Sequence, residues 1–552
     1  MAFSMAFSTG LGPVAGGLLA LIGTVFVYFL TKLWAARAFF AKLRKQGLPM
    51  PTHSLVTGHL LALASIIPLY PRDGIKFYLF GEISRRFSKG GACYLDLWPF
   101  SEPFLVITSP HLANQVTSTP IAFEKPDALR KWFWSISGGI SLFDAPAEKW
   151  KPLRAAFNRG FSANHLMTLI PNMVEETQVY CETLRQHAKK GDMFYLDPTN
   201  LRFMLDVIGR TALNVRLGCQ TGRNPLADSL LNQISWKISN QEINPLQWLN
   251  FVRTIVEWYN GRKMDAYINK QIDERFKANQ QQPDDSDGKF ESIIDLALQD
   301  YMADPSRAAT RELDKDFRTF ATRNIRVLLF AGHDSTGSTI SYCYYLLSQN
   351  PEKLALIRAE HDSVFGTDLS KAGSAIFNDP HLLNKLPYTN AVIKEALRLF
   401  PPAASLREGM DGVDLVDEEG NHYPTGNCLV YIIHSIMQRD ARNFVRAKEF
   451  LPERWLAEPG DPLYPKVKGA WRPFEYGPRN CIGQLLVMLE VKAVLALTVR
   501  EFDIKPAYDE WDKLNPKKGL RTADGERAYQ IDEGAAHPAD HFPCRVFLRT
   551  AE

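Results

Sequence analysis

One cysteine of this chain has neighbours that suit a thiolate. Cys481 lies in the stretch RPFEYGPRNCIGQ (472–484), between Gly477 and Gly483. Glycines permit close backbone approach and positive φ values, so the N–H groups of a tight loop can turn toward the sulfur. A long apolar helix pattern follows, and a helix N-terminus also favours negative charge. The stretch therefore predicts a thiolate metal ligand or nucleophile, with Arg479 placed to reach an anionic group beside the sulfur.

A second group of reactive side chains lies in FAGHDSTGST (330–339), inside a long helix predicted from Asp314 to Gln349. Asp334, Ser335 and Thr336 place an acid and two hydroxyls in an apolar run, which a solvated helix face would not do. A buried acid with an adjacent hydroxyl can relay protons. The letters almost spell the nucleophile elbow of a serine hydrolase, but the first glycine is one residue too distant and the stretch is helical.

The elements that must position these residues are mostly helices. Stretches such as Asp314 to Gln349 and Pro387 to Leu399 carry apolar residues at three- and four-residue spacing without proline. The short runs PFLVIT (103–108) and CLVYII (428–433) predict strands. The fold class expected is mainly α with small β-sheets. No dinucleotide-binding or P-loop glycine motif occurs, so we expect no such site.

An apolar segment near the N-terminus has the length of a membrane span. Residues 11–30, LGPVAGGLLALIGTVFVYFL, are uncharged and would reach about 30 Å as a helix. Basic residues follow this run, beginning at Lys32, whereas a cleaved signal peptide needs them before it. We therefore expect a transmembrane anchor in 1–31, a basic, proline-containing linker at 32–53, and a cytosolic catalytic domain over 54–552.

Composition narrows the possible partners and compartments. Lys and Arg number 64 against 61 Asp and Glu, a net charge of +3 for 552 residues, so we expect no nucleic-acid partner. The seven cysteines are widely spaced, without a Cys-x-x-Cys pair. This pattern predicts a reducing compartment and leaves six cysteines as ordinary core or surface thiols.

The pattern Phe474-x-x-Gly477-x-Arg479-x-Cys481-x-Gly483 resembles the haem-binding signature of the cytochrome P-450 family, whose iron takes a cysteine thiolate as axial ligand. Average residue usage gives a chance of about 10⁻⁴ for these identities in such a chain. A structural cysteine in a turn would require neither the arginine nor the phenylalanine. The resemblance implies the P-450 fold, haem b as cofactor, and Cys481 as the ligand of its iron.

Other motifs of the family follow in the expected order. KEALRLFPP contains Glu395 and Arg398, and EFLPERW adds Arg454. These three residues resemble the family's Glu-Arg-Arg network, which fixes the surroundings of the cysteine loop. Ordinary surface ion pairs are the alternative for residues of these types.

The resemblance also implies cations for the two carboxylates of haem. EKWKPLR contains Trp150 and Arg154, which resemble the family's Trp-x-x-x-Arg on a helix against a haem propionate. Arg407, in PPAASLR, matches an arginine that approaches the propionates from a strand. With Arg479 they would form a set of donors suited to carboxylates.

FAGHDSTGST resembles the family's oxygen-binding groove, in which local opening of the helix makes room for dioxygen. The resemblance assigns Ala331 and Gly332 to this groove and Asp334 and Ser335 to proton delivery. Ser335 stands where the family has threonine, and Thr336 follows it.

The resemblance implies a monooxygenase that inserts one oxygen atom of O₂ into an apolar small molecule. Electrons would come from NADPH through a separate NADPH-cytochrome reductase, with cytochrome b5 a second candidate donor, at the endoplasmic reticulum membrane. The C-terminal segment resembles fungal members of secondary metabolism. Two alternatives stay open: a haem-thiolate isomerase, dehydratase or peroxygenase needs no reductase, and a haem sensor needs no Asp334 or Ser335.

Overall fold

The computed structural model describes residues 13–118, 122–238, 250–281, 292–304, 307, 310 and 312–549. Helices dominate these residues, which confirms the predicted fold class. The α-helices are α1 (Pro13–Lys45), α2 (Leu60–Ile66), α3 (Phe77–Phe87), α4 (Pro110–Thr117), α5 (Asp127–Ser137), α6 (Ala147–Asn158), α7 (Ala163–Lys190), α8 (Leu196–Leu213), α9 (Pro225–Ile238), α10 (Phe251–Gln281), α11 (Ile293–Met302), α12 (Lys315–Gln349), α13 (Pro351–Phe365), α14 (Leu369–Asn378), α15 (Pro387–Leu399), α16 (His434–Gln438), α17 (Gln484–Thr498) and α18 (Tyr508–Leu514).

The strands form small sheets, as predicted. They are β1 (Ala92–Leu95), β2 (Phe104–Ile107), β3 (Phe194–Tyr195), β4 (Ser405–Glu408), β5 (Asp414–Val416), β6 (His422–Pro424), β7 (Leu429–Ile432), β8 (Phe502–Pro506), β9 (Gln530–Asp532), β10 (Ala536–Pro538) and β11 (Pro543–Leu548). The largest sheet has the order β1-β2-β7-β4, with β2 and β7 parallel. These two strands fall within the runs 103–108 and 428–433. Three smaller sheets pair β9 with β10, β5 with β6, and β3 and β8 with β11.

The long helix α12 passes through the main hydrophobic core and packs closely on α8. A Cβ on Gly332 would lie 2.7 Å from Ile208 Cδ1, and one on Gly337 would lie 2.9 Å from Leu201 Cδ2. Glycine at both positions therefore lets the two backbones approach. This contact fixes the face of α12 that carries Asp334 relative to α8.

Helix α1 combines an exposed apolar half with a half that packs on the body. Among the described residues, Gly16–Lys45 is long and apolar enough to cross a membrane, with a mean hydropathy of 1.8 in its most apolar window. Residues 11 and 12 of the predicted span lie outside the described part. Toward the C-terminal end of α1, Phe40 and Leu43 are buried in the cluster beneath the largest sheet.

A buried ion pair ties this end of α1 to the catalytic body. Arg37 pairs with Asp96, and its other nitrogens donate to the carbonyl oxygens of Leu55 at 3.0 Å and Val56 at 2.8 Å. The segment 32–53, predicted to be a linker, is therefore helical as far as Lys45 and packs on the body.

Candidate active site

Cys481 lies in a tight loop directly before α17. Its N–H donates to the carbonyl oxygen of Phe474 at 2.8 Å. Gly477 has a φ of +96°, and a Cβ there would lie 2.1 Å from the carbonyl oxygen of Thr117, so the site requires glycine. Gly483 has a φ of −82°, so the positive φ predicted there is wrong. A Cβ at Gly483 would lie 3.8 Å from Cys481 Sγ, an ordinary contact.

The thiol of Cys481 differs from the six other cysteines, which are buried. Cys481 itself is an exposed residue. Desolvation of the sulfur nevertheless raises the pKa of the Cys481 thiol, and it outweighs the backbone N–H groups of Gly483 and Gln484 and the charge of Arg154, which lower this pKa. The N–H groups that the sequence predicted to face the sulfur are therefore present, and they favour the thiolate.

Helix α6 braces the cysteine loop from the side. Arg154 Nη1 donates to the carbonyl oxygen of Asn480 at 2.8 Å, and Nη2 lies 3.3 Å from Asn480 Oδ1. The ring of Trp150 lies under two guanidinium groups, 6.0 Å from that of Arg154 and 5.2 Å from that of Arg479. Trp150 and Arg154 thus lie beside the loop, with Arg154 bonded to the backbone next to Cys481, and their expected role toward a haem propionate stays a prediction.

Glu395 is the centre of a buried ionic network. Arg398 Nε and Nη2 each lie 2.8 Å from its carboxylate oxygens, and Arg454 Nε lies 3.0 Å from Oε1. Trp455 Nε1 donates a further bond of 3.0 Å to Oε2. All three charged side chains are 0% exposed. The surface ion pair considered for these residues is therefore wrong.

A glutamine connects this network to the cysteine loop. Arg398 Nη1 donates to the carbonyl oxygen of Gln438 at 2.7 Å. The side-chain oxygen of Gln438 accepts the N–H of Arg472 at 2.8 Å, where the stretch that leads to Cys481 begins. Displacement of Arg398 would therefore move the backbone that precedes the loop.

In α12, the acid and the hydroxyls point in different directions. Asp334 Oδ2 accepts the N–H of Ala535 at 2.5 Å, and Oδ1 lies 3.2 Å from His537 Nε2. The Ser335 hydroxyl donates to the carbonyl oxygen of Ala331 at 2.8 Å. Ala331 is exposed and Ser335 half-buried, whereas Asp334 is buried. Ala331 and Ser335 therefore share the accessible face of the helix.

Thr336 faces α17 instead. It is fully buried, and its hydroxyl lies near the carboxyl of Glu490 without a hydrogen bond to any described residue. Burial raises the pKa of Glu490 well above the ordinary value. Helix α12 is continuous from Lys315 to Gln349, so the predicted local opening is not seen. The side of Gly332 that would carry a Cβ packs against α8, which gives this glycine a packing role.

Several basic side chains lie near Arg479, and one of its hydrogen-bond donors has no partner. Arg479 Nη1 lies 3.4 Å from Glu124 Oε2, and its Nη2 is buried without a partner. Arg407 is 4% exposed, and burial lowers its pKa. Burial and the charge of Arg407 lower the pKa of Lys125 well below its ordinary value. Glu475 already lies close enough to Arg407 for the two charges to stabilise each other, so the unpartnered Nη2 of Arg479 is the donor left for a further anion.

Residues 77–528 match the family model described as cytochrome P-450. The chain belongs to the cytochrome P-450 family. It is therefore an oxidoreductase.

Relatives of this P-450 include two fungal proteins. Cytochrome P-450 monooxygenase polC of Polytolypa hystricis is 39% identical over 524 residues, 94% of this chain and 93% of the relative. Cytochrome P-450 monooxygenase acrF of Aspergillus aculeatus is 32% identical over 488 residues, 85% of this chain and 96% of the relative. The crystal structure of the cytochrome P-450DA heme domain covers 91% of this chain and 98% of its own, with a TM-score of 0.70 and 19% identity.

The residues of this P-450 fit haem. Cys481 supplies a thiolate with an accessible face, beside backbone donors that favour its charge. Arg479 keeps one buried nitrogen without a partner, and Arg407 and Lys125 add charge close by. The carboxylates of haem would suit this unpartnered donor of Arg479.

Some residues at this site were not predicted from the sequence. Lys125 lies 3.0 Å from the centre of the Phe143 ring and joins the cation cluster. Glu490 is a buried acid on the helix after Cys481, and His537 contacts Asp334 from the C-terminal hairpin. The apolar pattern after Gly483 was visible, and an acid inside it could have identified Glu490 as unusual.

Proposed function

We propose that this P-450 is a monooxygenase that inserts one oxygen atom of O₂ into an apolar small molecule, with electrons from NADPH through a separate reductase. The accessible thiol of Cys481 at the start of α17 carries the proposal. The similarity to fungal P-450 monooxygenases supports a substrate of secondary metabolism. Haem bound through the Cys481 thiolate would receive electron density from the sulfur, which favours O–O cleavage.

In this proposal, side chains and backbone groups of the chain itself hold the haem and exclude water from it. Gly483 and Gln484 direct N–H groups at the sulfur, and Arg479 and Arg407 are available for the carboxylates. The rings of Phe133, Phe143 and Phe330 pack together on the face of α12 that carries Asp334. The ring centroids of Phe133 and Phe143 lie 4.4 Å apart, and those of Phe133 and Phe330 lie 5.4 Å apart. An aromatic wall of this kind favours apolar substrates.

The experiment that tests this function follows the oxygen atoms. Candidate substrates are incubated with the purified holoenzyme, reductase and NADPH under ¹⁸O₂, and products are examined by mass spectrometry. One labelled oxygen per product, and no product without reductase, is expected. Turnover that needs neither NADPH nor reductase would instead favour an isomerase, dehydratase or peroxygenase.

Ser335 is the hydroxyl best placed to deliver protons during turnover, since it lies on the accessible face of α12 while Thr336 faces Glu490. Asp334 next to it supplies the acid of the proposed relay. In Ser335→Ala we expect haem and substrate binding to persist while product formed per NADPH consumed falls about tenfold, since a positioned acid–base group contributes at least this much. The lost electrons should appear as hydrogen peroxide. Thr336→Ala is the comparison, with a smaller effect; unchanged coupling in Ser335→Ala would place the relay elsewhere.

In this proposal the reductase binds on the side of the cysteine loop. Exposed basic residues lie there in or just after α6 and in the stretch before Trp471: Lys149, Lys151, Arg159, Lys466 and Lys468. Arg159 already pairs with Asp300 at 3.1 Å, so the four lysines are the better test. Changing all four to glutamate should raise the reductase concentration for half-maximal turnover by about tenfold, because surface charges steer association. Lys189→Glu with Lys190→Glu, at the end of α7, is the control. Equal reductase dependence in both variants would remove this surface from the proposal.

The anchor places the body at the endoplasmic reticulum membrane, with α1 as a single span and the catalytic body in the cytosol. The exposed apolar half of α1 and the basic residues in its last turn support this orientation. Protease added to intact microsomes is expected to digest the body. Detergent-treated microsomes serve as the control, and protection that is lost only with detergent would reverse the topology.

A further inference from the structure

A histidine of the C-terminal hairpin joins three distant parts of the fold. His537, on β10, is 0% exposed, and its Nδ1 lies 2.9 Å from Asp197 Oδ2 at the start of α8. Its Nε2 lies 3.2 Å from Asp334 Oδ1 on α12. The three residues are separated by 340 and 203 positions in the chain. These contacts need an explanation, because each charge that is buried in this group must be compensated by a partner.

The remaining acceptors of both carboxylates are also occupied. Asp197 Oδ1 accepts the hydroxyl of Ser341 at 2.9 Å, and Asp334 Oδ2 accepts the N–H of Ala535 at 2.5 Å. Burial alone would lower the pKa of His537, but the two carboxylates raise it well above the ordinary value. The imidazolium therefore donates to both sides, and the hydrogen bonds are charge-assisted.

These bonds hold the turn between β9 and β10 against α12. Ser338 donates from α12 to the carbonyl oxygen of Ala536 at 2.6 Å. At the tip of the turn, a Cβ on Gly534 would lie 2.6 Å from Asp334 Oδ2 and 3.4 Å from Phe330 Cε2. Phe330 belongs to the aromatic wall, so the turn meets this wall and Asp334 at one place.

We propose that His537 is a positioning residue: it clamps the hairpin turn to α12, and thereby sets the place of both the aromatic wall and the Asp334 carboxylate. This inference rests on the proposed monooxygenase function and extends it to a residue outside the family motifs. Asp334 is held by the hairpin rather than by Ser335, so proton delivery depends on the clamp. Variants that lack the clamp should therefore have a looser turn and should also lose more electrons to hydrogen peroxide.

The first measurement is hydrogen–deuterium exchange of peptides covering residues 530–538 in the holoenzyme. His537→Phe removes both bonds, and His537→Gln keeps the capacity for one without the charge. We expect exchange about tenfold faster in His537→Phe, since a charge-assisted bond contributes this much to local closure. His422→Gln is the control, because His422 is 65% exposed and lies on β6, in a different sheet from the β9–β10 turn.

The second measurement separates positioning from a merely structural role. With reductase and NADPH, hydrogen peroxide formed per NADPH should rise about threefold in His537→Phe, because a residue that couples two elements contributes in this range. His537→Gln should lie between wild type and His537→Phe. If His537→Phe does not fold, Asp197→Asn, which nearly preserves shape, takes its place.

The outcomes are distinct from those that test the proposed function. Native exchange of 530–538 and native peroxide yield in folded His537→Gln and Asp197→Asn would overturn the clamp. Faster exchange with unchanged peroxide yield would also overturn it, because the histidine would then stabilise the hairpin only. Failure of the wild-type protein to bind haem or accept electrons would instead refute the monooxygenase, and it is read from the wild type alone.

Discussion

Cys481→Ser is expected to abolish the absorption band of reduced, carbonyl-bound thiolate haem and to reduce oxygenation to background. Serine is close in size, so the loop can keep its shape, but its hydroxyl does not ionise as a thiol does. No other cysteine can take over. The other six are buried, and burial raises the pKa of Cys93, Cys181 and Cys428 to about 12. The measurement is a carbonyl difference spectrum of purified protein at matched concentration.

Cys93→Ala is the matched control, because Cys93 is fully buried on β1 in another part of the fold. It should keep the thiolate band, with at most a loss of stability of about 1 kcal/mol from the lost sulfur contacts. A thiolate band that survives in Cys481→Ser would contradict the assignment of the ligand. So would a wild-type spectrum of the kind given by histidine-ligated haem proteins.

The sequence predicts well those features whose residues are close together in the chain. The loop from Phe474 to Gly483 is legible because its glycines, arginine and cysteine act within ten residues. The strands β2 and β7 and the long helix α12 follow from local apolar patterns. The order of the motifs along the chain matches the family, and this resemblance predicts the fold.

The features that could not be predicted depend on contacts between distant segments. Asp334 occupies the acid position of the family motif. Its hydrogen-bond partners, Ala535 and His537, nevertheless lie about 200 residues later in the chain. Gly332 is part of the same motif, yet its close neighbour is Ile208 on α8. Lys125 has no pattern that marks it as a neighbour of Arg407. Long-range packing decides all three cases, and periodicity carries no information about it.

Segment 32–53 packs on the body for a reason that is also long-range. Its basic residues and prolines are typical of a solvated linker, and the helix does end at Lys45, before Pro49. Arg37 is nevertheless buried, because Asp96 on the body supplies its counter-ion. A charged residue is exposed by default unless a partner compensates its desolvation, and the partner lies 59 positions away.

Glu395→Gln is expected to lower the free energy of unfolding by about 3 to 5 kcal/mol, since it leaves buried cations without a counter-ion. Arg398 and Arg454 are both 0% exposed and share this one carboxylate. The expected loss is a large part of the total stability of a typical domain. The link through Gln438 to Arg472 would pass the disturbance to the cysteine loop, so haem content should fall as well. Denaturant unfolding of holoenzyme and the haem-to-protein ratio measure the two effects.

Glu449→Gln is the control for this prediction, because Glu449 makes the same kind of pair with Arg446 while both are about half exposed, and solvent screens that pair. It should leave stability and haem content unchanged. Adding Arg454→Met to Glu395→Gln should cost less than Arg454→Met costs in the wild type, because the arginine has then already lost its partner. Additive losses would mean that the two side chains do not act as one network. An unchanged haem content in Glu395→Gln would show that the cysteine loop holds its shape without the network.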